Sequence, residues 1–228
     1  MLTKEMLAIL STGKDTDWIV EPEAKRLFAL AGLDVPRFVW TSRTDEAIEF
    51  AREIGYPVVV KVVSPQVVHK SESGGVVTGV SGDEALIASL DRMRRIIGFA
   101  GVIVEETFAG IELIVGAKVD EQFGPIVLIG IGGTATEIYH DIALGMAPLG
   151  ESETERMLKR LKGFPLLNGF RGTEPVNMKT LTTLVARFSD LVMDLEDVME
   201  SIDMNPVICS GDRCVVADAR IMINPHSQ

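Results

Sequence analysis

Three groups of polar residues stand where apolar neighbours would be expected, and each has a chemistry. Lys61 lies inside the run PVVVKVV. A lysine in such a stretch either runs its stem along apolar surface and keeps its ammonium in water, or offers that ammonium to a phosphate. The second group is VEETFAGIE, residues 104–112, in which Glu105 and Glu106 end a strand, Thr107 begins a turn, and Glu112 opens the next strand. Acids at strand ends commonly serve solubility alone. This layout also lets the 105–107 backbone meet an adenine edge while Glu112 accepts hydrogen bonds from ribose hydroxyls. The third is DMNP with DAR: Asp203 and Asn205 alternate on one strand and so share a face, and Asp218 and Arg220 repeat the arrangement on the next. Carboxylate and amide oxygens suit Mg²⁺, which keeps phosphate and water as its other ligands, and Arg220 is placed to grip a phosphate. A cross-strand salt bridge at a sheet edge is the structural alternative.

A fourth stretch, SPQVVHKSESGGV at 64–76, carries His69, one of three histidines. Pro65 breaks the preceding strand, Ser71 and Ser73 disfavour regular structure, and Gly74 and Gly75 supply a hinge or a close approach to phosphate. These residues imply a loop that can move; a lone loop histidine is usually inert.

The elements that must position these groups follow from pattern. Pro22 sits where a helix begins, EPEAKRLFALAG has helical spacing, and LDVPRFVW reads as a short strand. A helix over 45–54, the valine strand, the strand GVVTGV, a helix over about 82–97 and the strand GVIVEE complete the first half. GIELIVGAKVDEQFGPIVLIGIGG reads as a hairpin turning at DEQFG. Then come a short polar strand, helices near 151–162 and 177–199, and the strands SIDMNPVIC and CVVADARI. The expected class is α+β: an N-terminal helical extension over 1–17 and two α/β subdomains over 18–108 and 109–228, with function in the cleft between them.

A net charge of −11 across 228 residues excludes a nucleic-acid partner, which needs a clustered basic face. No stretch is apolar enough to span a membrane, and the start lacks the features of a cleaved leader, so a cytoplasmic protein is expected. Cys209 and Cys214 flank SGDR and could face each other across a hairpin; in a cytoplasmic chain the expectation is reduced thiols.

The order of lysine in a valine strand, glycine-rich loop, acidic hinge, Glu112 and paired oxygen ligands resembles the ATP-grasp fold. More narrowly, KVVSPQVVHKSESGGV, the long hairpin, GFRG, DMNPV and VADARI resemble the β subunit of ADP-forming acyl-CoA synthetases (acetate–CoA ligase, ADP-forming) over about residues 18–223. The resemblance implies ATP or ADP with Mg²⁺ in the cleft. Lys61 and Lys25 would face the nucleotide phosphates, 105–107 would form the adenine hinge, and Glu112 would hold the ribose. Asn205 and Asp218 would hold the metal, with Arg220 on the phosphate side. Asp203 departs from the glutamate usual in related succinyl-CoA synthetases. The family reaction, acyl-CoA + ADP + phosphate ⇌ acid + CoA + ATP, needs a CoA-binding α subunit with its own phosphohistidine, and the resemblance implies an αβ heterotetramer. GIGGTA at 130–135 lacks the third glycine of a dinucleotide fingerprint, so nothing here resembles that portion.

The same resemblance makes His69 a second phosphorylatable histidine that carries phosphoryl between distant sites, an imidazole being a competent nucleophile whose N–P bond remains reactive. Lys70 would neutralise the travelling charge, Glu137 would orient a histidine, and Arg171 of GFRG would contact an anion or a subunit. His140 and His226 match no motif. Two other readings remain open: a nucleotide-sensing module in which His69 is idle, and a self-contained ATP-grasp carboxylate ligase.

Overall fold

Strand-forming valines and two capping helices build the smaller of two units. The computed structural model describes residues 1–13, 16–133, 140–172 and 174–224. The chain divides into Pro36–Phe108 and a second unit made of Met1–Val35 with Ala109–Gln228. In the smaller unit, β2 (Phe38–Thr41), β3 (Val58–Val63), β4 (Val76–Val80) and β5 (Gly101–Glu106) form an antiparallel sheet in the order β2-β5-β3-β4. Val58, Val60, Val62, Val102 and Val104 bury one face against Ala47 and Ala51 of α3 (Thr44–Ile54) and Leu86, Leu90 and Met93 of α4 (Asp83–Met93). The two-residue period then sends Lys61, Ile103 and Glu105 to the opposite face.

The larger unit holds a seven-stranded sheet in the order β1-β11-β9-β6-β7-β8, with β10 also on β9. Its strands are β1 (Trp18–Ile19), β6 (Ile111–Asp120), β7 (Gly124–Ile131), β8 (Ile142–Met146), β9 (Met199–Ser210), β10 (Arg213–Val216) and β11 (Arg220–Ile223). Its helices are α1 (Lys4–Thr12), α2 (Glu21–Leu30), α5 (Glu151–Leu158), the single turn α6 (Phe164–Leu167) and α7 (Met178–Asp194). One core joins Leu27 and Phe28 of α2 and Leu181, Val185 and Phe188 of α7 to Leu113, Val115, Val127, Ile129, Ile202 and Met204 of the sheet. Phe28 and Phe188 meet edge to face at 6.5 Å.

Several expectations need correction. Residues 18–35 fold with the C-terminal part and not with 36–108, because β1 pairs with β11, Trp18 opposite Met222, and α2 packs in the larger core. The helix expected to 97 stops at Met93, and that expected to 199 stops at Asp194, where the chain turns into β9. VADARI is not one strand: Ala217, Asp218 and Ala219 form a bend between β10 and β11. Cys209 and Cys214, expected as thiols, lie in register across β9 and β10 and are disulfide-bonded. Among the described residues no helix is long and apolar enough to cross a membrane.

A polar clasp joins the two helices of the smaller unit. Tyr56 donates its hydroxyl to Asp83 Oδ1 at 2.9 Å, and Arg52 reaches the same carboxylate from the last turn of α3. Partial burial, with the Asp83 hydrogen bond and charge, pushes the Tyr56 phenol up to about 12. Its contribution to folding is therefore intact below the unfolded value of ~10 and is lost as pH rises through the folded one. Thermal denaturation followed from pH ~9 to ~12 should show an alkaline decline that Tyr56→Phe flattens; an unchanged slope would remove Tyr56 as its source.

Candidate functional site

In the smaller unit, Lys61 is resolved by pairing: its Nζ lies 2.9 Å from Glu105 Oε1, with both side chains buried. Neither charge is tolerable there alone, and each makes the other so. The connector after β5 is fastened residue by residue. Glu106 accepts from the Arg37 backbone N–H at 3.0 Å, and Thr107 donates its hydroxyl to the Pro57 carbonyl at 2.8 Å. The three connector side chains are thus each held within their own unit, and the 105–107 backbone is set in place by them.

His69 is exposed near the middle of the connection from β3 to β4. Both stems of that connection are fixed. Ser64, buried, donates to the Ile97 carbonyl at 2.7 Å, and Gly98 leaves room for it, since a Cβ there would come within 2.8 Å of Ser64 Oγ. At the other stem the Gly75 carbonyl accepts from Val62 N–H and its N–H donates to the Lys70 carbonyl, both at 2.7 Å. A Cβ on Gly75 would stand 2.5 Å from Val62 Cγ1. Gly74 adopts a left-handed φ of +67°, as its residue type allows, and its carbonyl accepts from Arg92. Between these stems the segment belongs to no strand.

In the larger unit, Lys25 is fully buried on α2 and pairs with Glu21 one turn earlier at 2.8 Å. Glu112 is exposed at the start of β6. Its position is set by Gly132, whose N–H donates to the Glu112 carbonyl at 2.6 Å and whose absent Cβ would lie 2.8 Å from that carbonyl.

The four residues near the C-terminus are organised by β9. Arg220 of β11 lies opposite Asp203, and the two side chains meet at 3.4 Å. β10 pairs with β9 in the same register, and Ala217 donates to the Pro206 carbonyl at 3.0 Å. Continued past that bond, the register sets Asp218 opposite Asn205. The β6–β9 ladder shifts at this level, between Leu113 and Val115, so Met204 and Val207 both face the core while exposed Asn205 lies at the irregularity. Burial pushes the Asp203 carboxyl up, Arg220 opposes that, and the nearby Asp218 charge adds to it.

Among the described residues no three His, Cys, Asp or Glu side chains form a cation-binding group. The oxygen set at β9 is an amide and two carboxylates beside an arginine. That set fits a hard divalent cation sharing phosphate and water ligands.

Other expected residues lie apart. Arg171 stands exposed with a φ of +52° over the Phe170 ring at 5.2 Å, Lys70 is half-buried beside His69, and His140 is exposed with a φ of +45°. Glu137 and His226 lie outside the described residues. Sequence reasoning missed Glu21, although its spacing from Lys25 announced it, and Gly132, seen only as part of an incomplete fingerprint. It also missed Asp141, which accepts from the backbone N–H groups of Lys162 and Gly163 at 2.8 and 2.7 Å.

Residues 11–223 match the family model of an ATP-grasp domain. The chain is 37% identical to the β subunit of acetate–CoA ligase (ADP-forming) I of Pyrococcus furiosus, over 90% of this chain and 91% of that protein. It is 34% identical to 4-hydroxybutyrate–CoA ligase (ADP-forming) of Nitrosopumilus maritimus, covering 89% of this chain and only 30% of that longer one. A dinucleotide-forming acetyl-coenzyme A synthetase 1 of Ca. Korarchaeum cryptofilum, in complex with coenzyme A and Mg-AMPPCP and with its phosphohistidine segment pointing towards the nucleotide binding site, superposes with a TM-score of 0.85. That structure is 36% identical and covers 96% of this chain and 100% of its own.

The buried pair gives a stability test. Lys61→Met strands Glu105 and should cost about 3–5 kcal/mol, whereas Lys61→Met combined with Glu105→Leu should recover most of the loss. Denaturant unfolding of the full chain measures both; equal losses in the single and double variants would show that the pair is not the coupled unit described.

Proposed function

This chain belongs to the ATP-grasp family, and from that premise we propose that it is the nucleotide-binding subunit of an ADP-forming acyl-CoA ligase. The reaction is acyl-CoA + ADP + phosphate ⇌ carboxylic acid + CoA + ATP. The relatives support a division of labour: the chain spans nearly all of a protein named as a β subunit and under a third of a ligase made as one chain, and in this reading CoA binding falls to an α partner. We assign the assembly as an αβ heterotetramer working in the cytoplasm, where ADP and acyl-CoA are at hand.

The observation that carries the reading is His69, exposed on a strand-free segment with both stems anchored. Phosphoryl transfer requires near in-line contact of donor and acceptor, at roughly 3 Å, so two distant sites need a carrier. A ring nitrogen of His69 attacks the phosphorus of the α subunit's phosphohistidine, and the N–P bond to that donor breaks. The terminal phosphate oxygen of ADP then attacks the same phosphorus, the N–P bond to His69 breaks, and ATP leaves with His69 neutral again.

Each remaining residue has a role that its surroundings permit. Glu112, steadied by Gly132, accepts from the ribose hydroxyls, and the 105–107 backbone reads the adenine edge. Lys61 attracts the phosphates and exchanges part of its bond to Glu105 for them, and Lys25, held by Glu21, adds a second cation. Arg220 shares its guanidinium between Asp203 and phosphate, and Lys70 accompanies the charge on His69. Asn205 and Asp218 would hold Mg²⁺, which neutralises phosphate charge when bound.

Two measurements test this. With γ-labelled Mg·ATP, the wild type should take up acid-labile, alkali-stable phosphate, and His69→Ala should lose at least ~90% of that label in this chain, since no second nucleophile replaces a covalent carrier. Equal labelling of the two proteins refutes the relay, and no label in either, even with the α subunit present, favours a nucleotide sensor. Gly132→Ala should displace Glu112 and raise the KM for ADP about 10-fold with little change in kcat, as expected for a contact made equally in ground and transition states.

A further inference from the structure

The disulfide lies on the ladder that carries the assigned metal ligands. Cys209 and Cys214 occupy opposed positions in β9 and β10, with Cα atoms 4.1 Å apart. Four residues further along the same register stand Asn205 and Asp218, and two beyond those stand Asp203 and Arg220. β10 has four residues, pairs in the sheet with β9 alone, and ends directly before the bend that contains Asp218. As a four-residue edge strand it has ladder hydrogen bonds on one side only. On β9 the same level is where the ladder with β6 is irregular, so strand pairing is least able to fix Asn205 there. The covalent bond compensates at the hairpin's closed end. Beyond it, Arg213 grips Asp34 through two bonds of 2.8 Å, and Val216 N–H donates to the Asp34 carbonyl at 2.9 Å. β10 is therefore tied at both edges, and Asp218 leaves it from a fixed point.

We propose that Cys209 and Cys214 are a positioning pair for the divalent-cation ligands, so that the thiol–disulfide state of this hairpin sets how tightly the chain holds its metal–nucleotide. Reduction takes two electrons and two protons from a dithiol, which becomes a disulfide while Cys209 and Cys214 become thiols. Both cysteines are buried, and Cys214 lies at the wall of a cavity of about 220 Å³ formed with Gly32, Leu33, Asp34, Thr183 and Arg187, so a dithiol reaches the bond when the short β10 edge opens locally. With the bond open, β10 is held only by its ladder to β9 and its bonds to Asp34, and the placement of Asp218 opposite Asn205 loosens.

This inference rests on Asn205 and Asp218 being metal ligands, and the test separates the two ideas. Binding of Mn²⁺ in the presence of ADP is read by electron paramagnetic resonance on the full chain. Three samples are compared: oxidised wild type, wild type reduced with dithiothreitol, and a Cys209→Val/Cys214→Val variant that keeps the buried β-branched packing. The reduced and substituted proteins should bind Mn²⁺ about 10-fold more weakly, as happens when groups that orient metal ligands are lost, and reoxidation of the wild type should restore it. Affinity for ADP without metal should not change. Equal Mn²⁺ affinity in the three samples overturns the positioning role. Absence of ADP-dependent Mn²⁺ binding even in the oxidised wild type, or its persistence in Asn205→Ala/Asp218→Ala, overturns the ligand assignment instead. Circular dichroism of the reduced wild type distinguishes a local change from unfolding, and loss of the fold on reduction would also overturn the proposal.

Discussion

Strand β9 imposes the constraint on which the larger unit depends. It pairs on its two edges with β6, β10 and β11, so one antiparallel register decides which residues of four strands meet. The same register that buries Ile202 against Ile221 brings Asp203 to Arg220 and Cys209 to Cys214. Because strand side chains alternate, a slip of one residue would exchange core and polar faces together. The hydrophobic core therefore enforces the polar constellation; it does not merely support it. The irregularity at Asn205 and Pro206 is where that rule is locally suspended: Asn205 points away from the core in step after Met204, but Pro206, which strict alternation would carry inward, stays off the core and Val207 enters it instead.

The smaller unit solves a different problem, the burial of an ammonium in a valine strand. The desolvation cost of Lys61 is offset by Glu105 on the neighbouring strand, and the equivalent cost at Lys25 by Glu21 within one helix. In both cases a carboxylate holds a cation that an anionic ligand would also attract. The buried pairs keep each lysine ordered.

Much of this was legible from residue order, and the misses have physical reasons. The Val58–Val63 strand, the long β6–β7 hairpin and the helices opened by Pro22 and by Asp45 announced themselves through apolar period and turn residues. The ATP-grasp resemblance rested on spacings that a local pattern preserves. What was not legible was long-range: the pairing of a two-residue β1 with β11, which moved residues 18–35 into the other unit, carries no periodic signal. The bend at Asp218 was hidden because Ala217 and Ala219 suit strand and turn alike. The partner of Lys61 could not be found from sequence because strand pairing, not proximity in the chain, joins it to Glu105.

The anchored stems of the His69 segment have a consequence for its reach. Ten residues, Pro65 to Gly74, lie between Ser64 and Gly75, and His69 is near their midpoint. About five residues on either side allow the imidazole to stand at most ~17 Å from its anchors, at roughly 3.3 Å per extended residue. In the proposed relay, a nucleophile so tethered would be present at its targets at a millimolar-range effective concentration however dilute the enzyme is. Since the segment belongs to no strand, its excursions cost no ladder hydrogen bonds but only its own turn bonds, such as those from Gly75 N–H and the Ser73 hydroxyl to the Lys70 carbonyl, so tether length sets the reach of His69 and those few local bonds set its release.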